Sequence, residues 1–180
     1  MMKTPLEHYF IVHSYPDGFM QSELARWLMS LGVPQNQWRI WRGEDRNNQC
    51  SYNAAMKWLL HSQHEYDQFV LCDCDIRPHE SKMAEFWSSE ADLVGVRYPT
   101  ECEGAFDHPD SIHTALWRTT RQTMQAVEDE FGTWFEWEYD DQQTRTINCL
   151  CQSLVKKAKK LGLTVQQAGY AMHVPRRKVR

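Results

Sequence analysis

An α/β fold, with a mostly parallel central sheet flanked by helices, is predicted by three observations. The apolar run Phe69-Val70-Leu71-Cys72 is too short for a buried helix and too apolar for a surface one, so it reads as a central strand buried on both faces. Two β-rich runs precede it, and stretches with apolar residues at helical spacing separate the three. The resulting β-α-β-α-β order is the signature of parallel strands joined by crossover helices.

Taken in order, Tyr9-Phe-Ile-Val-His-Ser-Tyr15 is the first strand, closed by the turn signal Pro16-Asp17-Gly18. Gln21 to Leu31 is a helix with Leu24, Trp27, Leu28 and Leu31 on one face, and Gly32 stands where a C-terminal cap belongs. Gln37 to Trp41 alternates Trp38 and Ile40 with polar neighbours as a second strand, followed by a polar loop from Arg42 to Asn48. Ser51 can cap a helix to about His64, with Ala55, Trp58 and Leu59 on one face. After the central strand, Glu80 to Ser89 reads as helix and Asp92 to Tyr98 as strand. Residues 99–111 hold Pro99, Gly104 and Pro109 and read as a long loop. Ile112 to Trp117 is then predicted as strand, Arg118 to Phe131 as helix, Gln142 to Leu161 as helix ended by Gly162, and Leu163 to Gln167 as the last strand. No repeat, linker or low-complexity segment divides the 180 residues, and one domain over 1–180 is expected.

Composition bounds the function. The chain is 42% hydrophobic and 24% charged, which places it among globular proteins, and its net charge of −4 argues against a general nucleic-acid binder. Eight Trp, seven Tyr and seven Phe are as frequent in sugar and nucleotide sites as in large cores. Acidic residues concentrate between Glu128 and Asp141, and basic ones between Lys156 and Arg180. The six cysteines form no C-x-x-C pair, so a zinc site is not expected. With no signal peptide, membrane-length apolar run or N-x-S/T sequon, a cytoplasmic protein without a membrane span is expected.

The central strand ends in Asp73 and Asp75, one residue apart, and Pro78 stops its continuation. Ligands of open α/β sheets bind at the carboxyl ends of strands. Strand alternation would turn both aspartates to one side, where both could face one divalent cation. Hard oxygen ligands suit Mg²⁺ or Mn²⁺ carrying phosphates. The plain alternative is a solvated turn.

Two further features follow in order. Asp140-Asp141 precedes the helix that closes with Lys156-Lys-Ala-Lys-Lys-Leu-Gly162, and His173 follows the last strand. This ordered set resembles the GT-A fold glycosyltransferases, above all the family 2 type that use nucleotide-diphosphate sugars, over roughly Tyr9 to Pro175. The resemblance implies a single Rossmann-like GT-A domain, a Mn²⁺ or Mg²⁺ cofactor and a nucleotide-diphosphate sugar donor, a UDP-sugar first among them. It places Asp73 toward the nucleotide ribose, Asp75 on the cation, and His173 as a third metal ligand, which requires a neutral imidazole. Inverting transfer needs a carboxylate to take the acceptor's proton, and by resemblance that is Asp141, with Asp140 beside it. The plain role of that pair is to cap a helix and favour its dipole. By the same resemblance Tyr15, Asp17, Arg42 and Asp45 sit where base and ribose are contacted. Asn53-Ala-Ala lies on the helix behind the nucleotide pocket, and Arg176 could reach the diphosphate. Trp134, Phe135 and Trp137 are either a sugar-stacking platform or core.

The chain is short for this family, which would reduce the acceptor-binding part to residues 99–111 and 132–139, and Asp140 replaces the more common glutamate. Haloacid-dehalogenase phosphatases share a strand-ending D-x-D, but Arg77 stands where they need Thr or Val. Nucleotidyltransferases open with a Gly-rich phosphate loop, which Pro16-Asp17-Gly18 is not. The remaining alternative is a GT-A-like domain that binds a nucleotide sugar or a protein without catalysis.

Overall fold

Every residue of β1 (His8–Ser14) is buried, because the strand lies between two neighbours and between two layers of helix. The computed structural model describes residues 4–43, 48–62, 65–97, 112–139, 142 and 146–174, with backbone alone at 48, 146–148 and 173. After β1 come α1 (Ser22–Ser30), β2 (Trp38–Arg42), α2 (Asn48–His61), β3 (Gln68–Asp73), β4 (Ile76–Pro78), α3 (Ala84–Ser88), β5 (Leu93–Arg97) and β6 (Leu116–Thr120). The chain continues through α4 (Arg121–Phe131), β7 (Glu138–Tyr139), β8 (Thr146–Asn148), α5 (Leu150–Lys160) and β9 (Val165–His173).

Seven strands form one sheet in the order β2-β1-β3-β6-β5-β9-β4, and β7 and β8 pair as a separate ribbon. The β-α-β-α-β half is parallel as expected: β2, β1 and β3 run together, as do β5 and β9. Five of the seven strands, β2, β1, β3, β5 and β9, run in one direction, so the sheet is mostly parallel as expected; the exceptions are β6, antiparallel to both β3 and β5, and β4, antiparallel to β9. A parallel return from β5 would need a crossover, usually a helix. The sequence between β5 and β6 holds Pro99, Gly104 and Pro109 instead of a helical pattern.

Strand alternation divides the core into two layers. Tyr9, Ile11, Phe69, Leu71 and Trp117 face α2, α4 and α5, where they meet Met56, Leu59, Met124, Val127 and Leu154. Phe10, Val12, Val70, Cys72 and Leu116 face α1 and α3, against Leu24, Trp27, Leu28 and Phe86. Each such large apolar side chain contributes roughly 1.5–3 kcal/mol on burial.

Boundaries differ where a tertiary partner outweighs local pattern. Arg118, expected to open a helix, is fully buried in β6. Its Nε donates to Phe86 O at 2.6 Å, its Nη2 donates to Ser89 O, and its guanidinium lies over the Phe86 ring. It thereby satisfies carbonyls at the end of α3, where positive charge also suits the helix dipole. Burial lowers its pKa to about 10. Helix α4 starts three residues later, with the Thr120 hydroxyl accepting from Thr123 N–H at 3.0 Å. Ser51 lies inside α2 rather than capping it, since the helix begins at Asn48. The span Glu80–Ser89 divides into a 3₁₀ turn at Glu80–Lys82 and α3. Helix α5 begins at Leu150, not Gln142, because Thr146–Asn148 pair with β7. The last strand runs on from Gln167 to His173 because its second half pairs with β4.

Gly95 permits the closest approach at the centre of β5. A Cβ there would stand 2.5 Å from the Ile112 Cβ and 3.2 Å from the His113 carbonyl oxygen. Gly95→Ala is expected to destabilise the fold by about 1–3 kcal/mol, read as a lower urea midpoint at unchanged m-value.

Candidate active site

The buried run of β3 ends at Asp73, whose N–H donates to Ala115 O at 2.7 Å. The next N–H, of Cys74, donates to His13 O at 2.7 Å, and the chain then turns through Cys74-Asp75 into β4. The two aspartates are therefore joined by a turn, and the alternation of a continuous strand does not govern where they point. Val174 N–H donates to Asp75 O at 2.7 Å, and the Gln21 carboxamide donates to Val174 O at 2.9 Å. In the β4–β9 pairing Ile76 lies opposite His173. The backbone alone thus brings His173 beside the Asp75–Ile76 turn at the carboxyl end of β3.

Each carboxyl group accepts from a tyrosine. The Tyr52 hydroxyl donates to Asp73 Oδ1, and the Tyr15 hydroxyl donates to Asp75 Oδ2 at 3.3 Å. Burial pushes the pKa of Asp73 up to about 7; the Tyr52 hydrogen bond opposes the shift and the Asp75 charge adds to it. Among the described groups acting on Asp73, none is a cation. Tyr52 stacks on His13 with ring centroids 4.0 Å apart and 15° between planes. Burial lowers the pKa of His13 to about 3, so its ring is neutral, and its Nε2 has no hydrogen-bond partner among the described residues. Two hard-oxygen carboxyl groups at the same end of the sheet are of the ligand type that suits a divalent ion. Among the described side chains no third His, Cys, Asp or Glu completes a cluster with them.

At the turn that follows β1, three of the sequence candidates meet. Tyr15 is partly exposed, and Asp17 Oδ1 accepts from Phe19 N–H at 3.0 Å. Arg42 leans over the same turn: a Cβ on Gly18 would lie 3.0 Å from its Nε. Asp45, Asp140, Asp141 and Arg176 lie outside the described residues, as does the His173 side chain. The helix that Asp140-Asp141 was expected to open is described only from Leu150. The two aspartates directly follow β7, and α5 has Cys149 at its N-cap.

The Asn53 carboxamide is engaged with backbone. Its Oδ1 accepts from Trp134 N–H (3.1 Å) and Phe135 N–H (3.0 Å), and its Nδ2 donates to Phe135 O (2.8 Å). The rest of this segment is held in the same way by side chains. Lys157 Nζ donates to Thr133 O at 2.8 Å and pairs with Glu136 at 2.8 Å. Ser153 Oγ accepts from Glu136 N–H at 3.2 Å, and Gln49 Oε1 from Trp137 N–H at 3.0 Å. Trp134 and Phe135 are core residues, with the Trp134 indole donating to Met124 O. Only Trp137 of the expected platform is partly exposed. Residues 133–137, which lead into β7, are thus fastened to α2 and α5. The sequence pattern exposed Asn53 and the Lys157-Ala158…Gly162 helix end but not these contacts, and it gave no sign of Tyr52 or of Gln49. His13, a polar residue within an apolar strand, was the one visible signal for its group.

No protein-family model matches this sequence, and neither does any curated protein. Solved structures share its fold. The catalytic domain of Drosophila β1,4-galactosyltransferase 7 in complex with xylobiose superposes with a TM-score of 0.60 at 13% identity, covering 96% of this chain and 73% of that one. A mutant of the same Drosophila enzyme, in complex with manganese, UDP-Gal and xylobiose, gives 0.58 at 13% identity over 94% and 72%. The inositol-1-phosphate CTP transferase from T. maritima gives 0.48 at 14% identity over 93% and 70%. At these identities the likeness is one of fold: a mixed α/β architecture like that of GT-A glycosyltransferases.

Two outcomes are expected. Asn53→Ala leaves two N–H groups and a carbonyl without their partner and lowers stability by about 2–3 kcal/mol, measured by urea unfolding. The second concerns pH. His13 has a folded pKa below its unfolded value, so the unfolded chain binds more protons between about pH 3 and 6.5, and stability rises with pH there. Asp73 has a folded pKa above its unfolded value, so stability falls as pH rises from about 4 to 7. The two oppose each other in the wild type. Asp73→Asn removes one, and its stability relative to wild type should climb by about 1.4 kcal/mol per unit between pH 4 and 6. Parallel stability profiles for the two proteins would contradict the assignment.

Proposed function

We propose that the chain is a metal-dependent glycosyltransferase that moves a sugar from a nucleotide-diphosphate donor to an acceptor hydroxyl, with inversion. The observation that carries this reading is the β4–β9 register, which aligns His173 with the turn holding Asp75 at the end of β3. The GT-A-like fold supports it, and so does the order of D-x-D, D-D and histidine, the pattern of the family 2 type. Both Drosophila structures are of a galactosyltransferase, one of them with manganese and UDP-Gal, so UDP-sugars are the first donors to test.

In this reading Asp73, Asp75 and His173 hold Mn²⁺ or Mg²⁺, which stabilises the charge on the departing diphosphate. Tyr15, Asp17, Arg42 and Asp45, after β1 and β2, contact base and ribose. Arg176, beyond β9, meets the diphosphate. Asn53 acts on the donor pocket from behind, through the segment it fastens. Asp141, with Asp140 beside it, accepts the acceptor's proton. Support for this last role comes from the fastening of residues 133–137 to α2, the helix whose Tyr52 holds Asp73. The acid pair follows β7, one short step beyond that anchored segment.

Calorimetric titration with UDP and UDP-sugars, with Mn²⁺ or with chelator, tests the reading. The expected result is binding that requires Mn²⁺ and is lost in Asp75→Ala. Absence of nucleotide binding in either condition would overturn it. Binding without turnover across an acceptor panel would favour a non-catalytic nucleotide-sugar module.

A further inference from the structure

Tyr52 has no assigned role in the donor site, yet two rings pack on its own and a carboxylate meets its hydroxyl. It lies at the buried face of α2, 9% exposed. Its ring is held between His13, stacked at 4.0 Å, and Phe135, tilted at 58° with centroids 5.3 Å apart. Neither neighbour is free to drift. His13 is fixed in β1, whose carbonyl at this residue accepts from Cys74 N–H, and the Phe135 backbone is gripped on both sides by Asn53. The phenol at the tip of this immobilised ring donates to Asp73 Oδ1.

We propose that Tyr52 is a positioning residue for Asp73: its hydroxyl engages Oδ1, sets the rotation of the carboxylate, and leaves Oδ2 as the oxygen presented to a cation or a nucleotide ribose. The inference rests on the donor-site reading above and adds to it the group that orients its first aspartate. A carboxylate at the end of a strand can rotate about its terminal torsion, which is broad and roughly two-fold. A donor on one oxygen removes that freedom, and partners of this kind are worth about 10–100-fold in metal affinity. The hydroxyl, not the ring, is therefore the active part. The ring serves to hold it in place.

Mn²⁺ affinity in the presence of UDP, read from the free-ion electron paramagnetic resonance signal, separates the two parts on the full chain. Tyr52→Phe keeps the ring between His13 and Phe135 and removes only the hydroxyl. It is expected to weaken Mn²⁺ binding about tenfold, with Tyr52→Leu no better. Tyr52→Phe binding as tightly as wild type, with only Tyr52→Leu impaired, would mean a packing role and overturn the inference. A second comparison uses Asp73→Asn. If the hydroxyl acts through Asp73, adding Tyr52→Phe to Asp73→Asn weakens binding no further. An equal additional loss would assign the effect to the fold and likewise overturn it. Failure of the wild type to bind Mn²⁺ and UDP would instead count against the donor-site reading itself.

Discussion

Asp73 stands where β3 leaves the core. Four apolar residues of that strand are buried on both faces, and the carboxyl group that follows is desolvated by the same layers that bury them. A charge in that position is costly unless it is paired or hydrogen-bonded. The protein answers with the Tyr52 hydroxyl on one oxygen, and it places a second carboxylate, Asp75, one turn away. Burial raises the pKa of Asp73, the Asp75 charge adds to the shift, and the Tyr52 hydrogen bond opposes it. Much of the surrounding structure serves to hold this end of the sheet: the Cys74–His13 and Asp73–Ala115 bonds, the Val174–Asp75 bond, and the ring stack that fixes Tyr52.

The second organising feature is the absence of a regular strand at residues 133–137. Peptide groups there find partners in Asn53, Gln49, Ser153 and Lys157 rather than in a sheet ladder. A segment held by side chains can follow a course that strand pairing would not allow. This one runs from the end of α4 to the β7–β8 ribbon, held by side chains of α2 and α5. Because Asn53 and Tyr52 are adjacent on α2, the anchor of this segment and the partner of Asp73 share one helix. The donor and acceptor sides of the proposed site are thereby tied to a common element.

The central strand, the parallel β2-β1-β3 half and the two-layer core were legible because they rest on apolar periodicity, which burial enforces directly. Arg118 was not. Its charge at the start of an amphipathic stretch reads as a helix beginning, and only the carbonyls of α3 make its burial in β6 tolerable. The start of α5 was misplaced for a similar reason, since the three residues Thr146–Asn148 become a strand only because β7 lies opposite. In the site, the D-x-D and His173 were visible by order along the chain, while their juxtaposition depends on the β4–β9 register. Tyr52 gave no signal, because a tyrosine on the apolar face of a helix looks the same whether or not its hydroxyl meets a carboxylate.

The proposed site requires Asp75 and His173 to converge on one cation that also carries a nucleoside diphosphate. Pulsed electron paramagnetic resonance of Mn²⁺ bound to the protein with UDP tests it most directly. Nitrogen coupling from a single imidazole, absent in His173→Ala, is expected together with phosphorus coupling from the diphosphate. A Mn²⁺ spectrum with phosphorus coupling alone, unchanged by His173→Ala, would show the ion held by nucleotide and water and would contradict it.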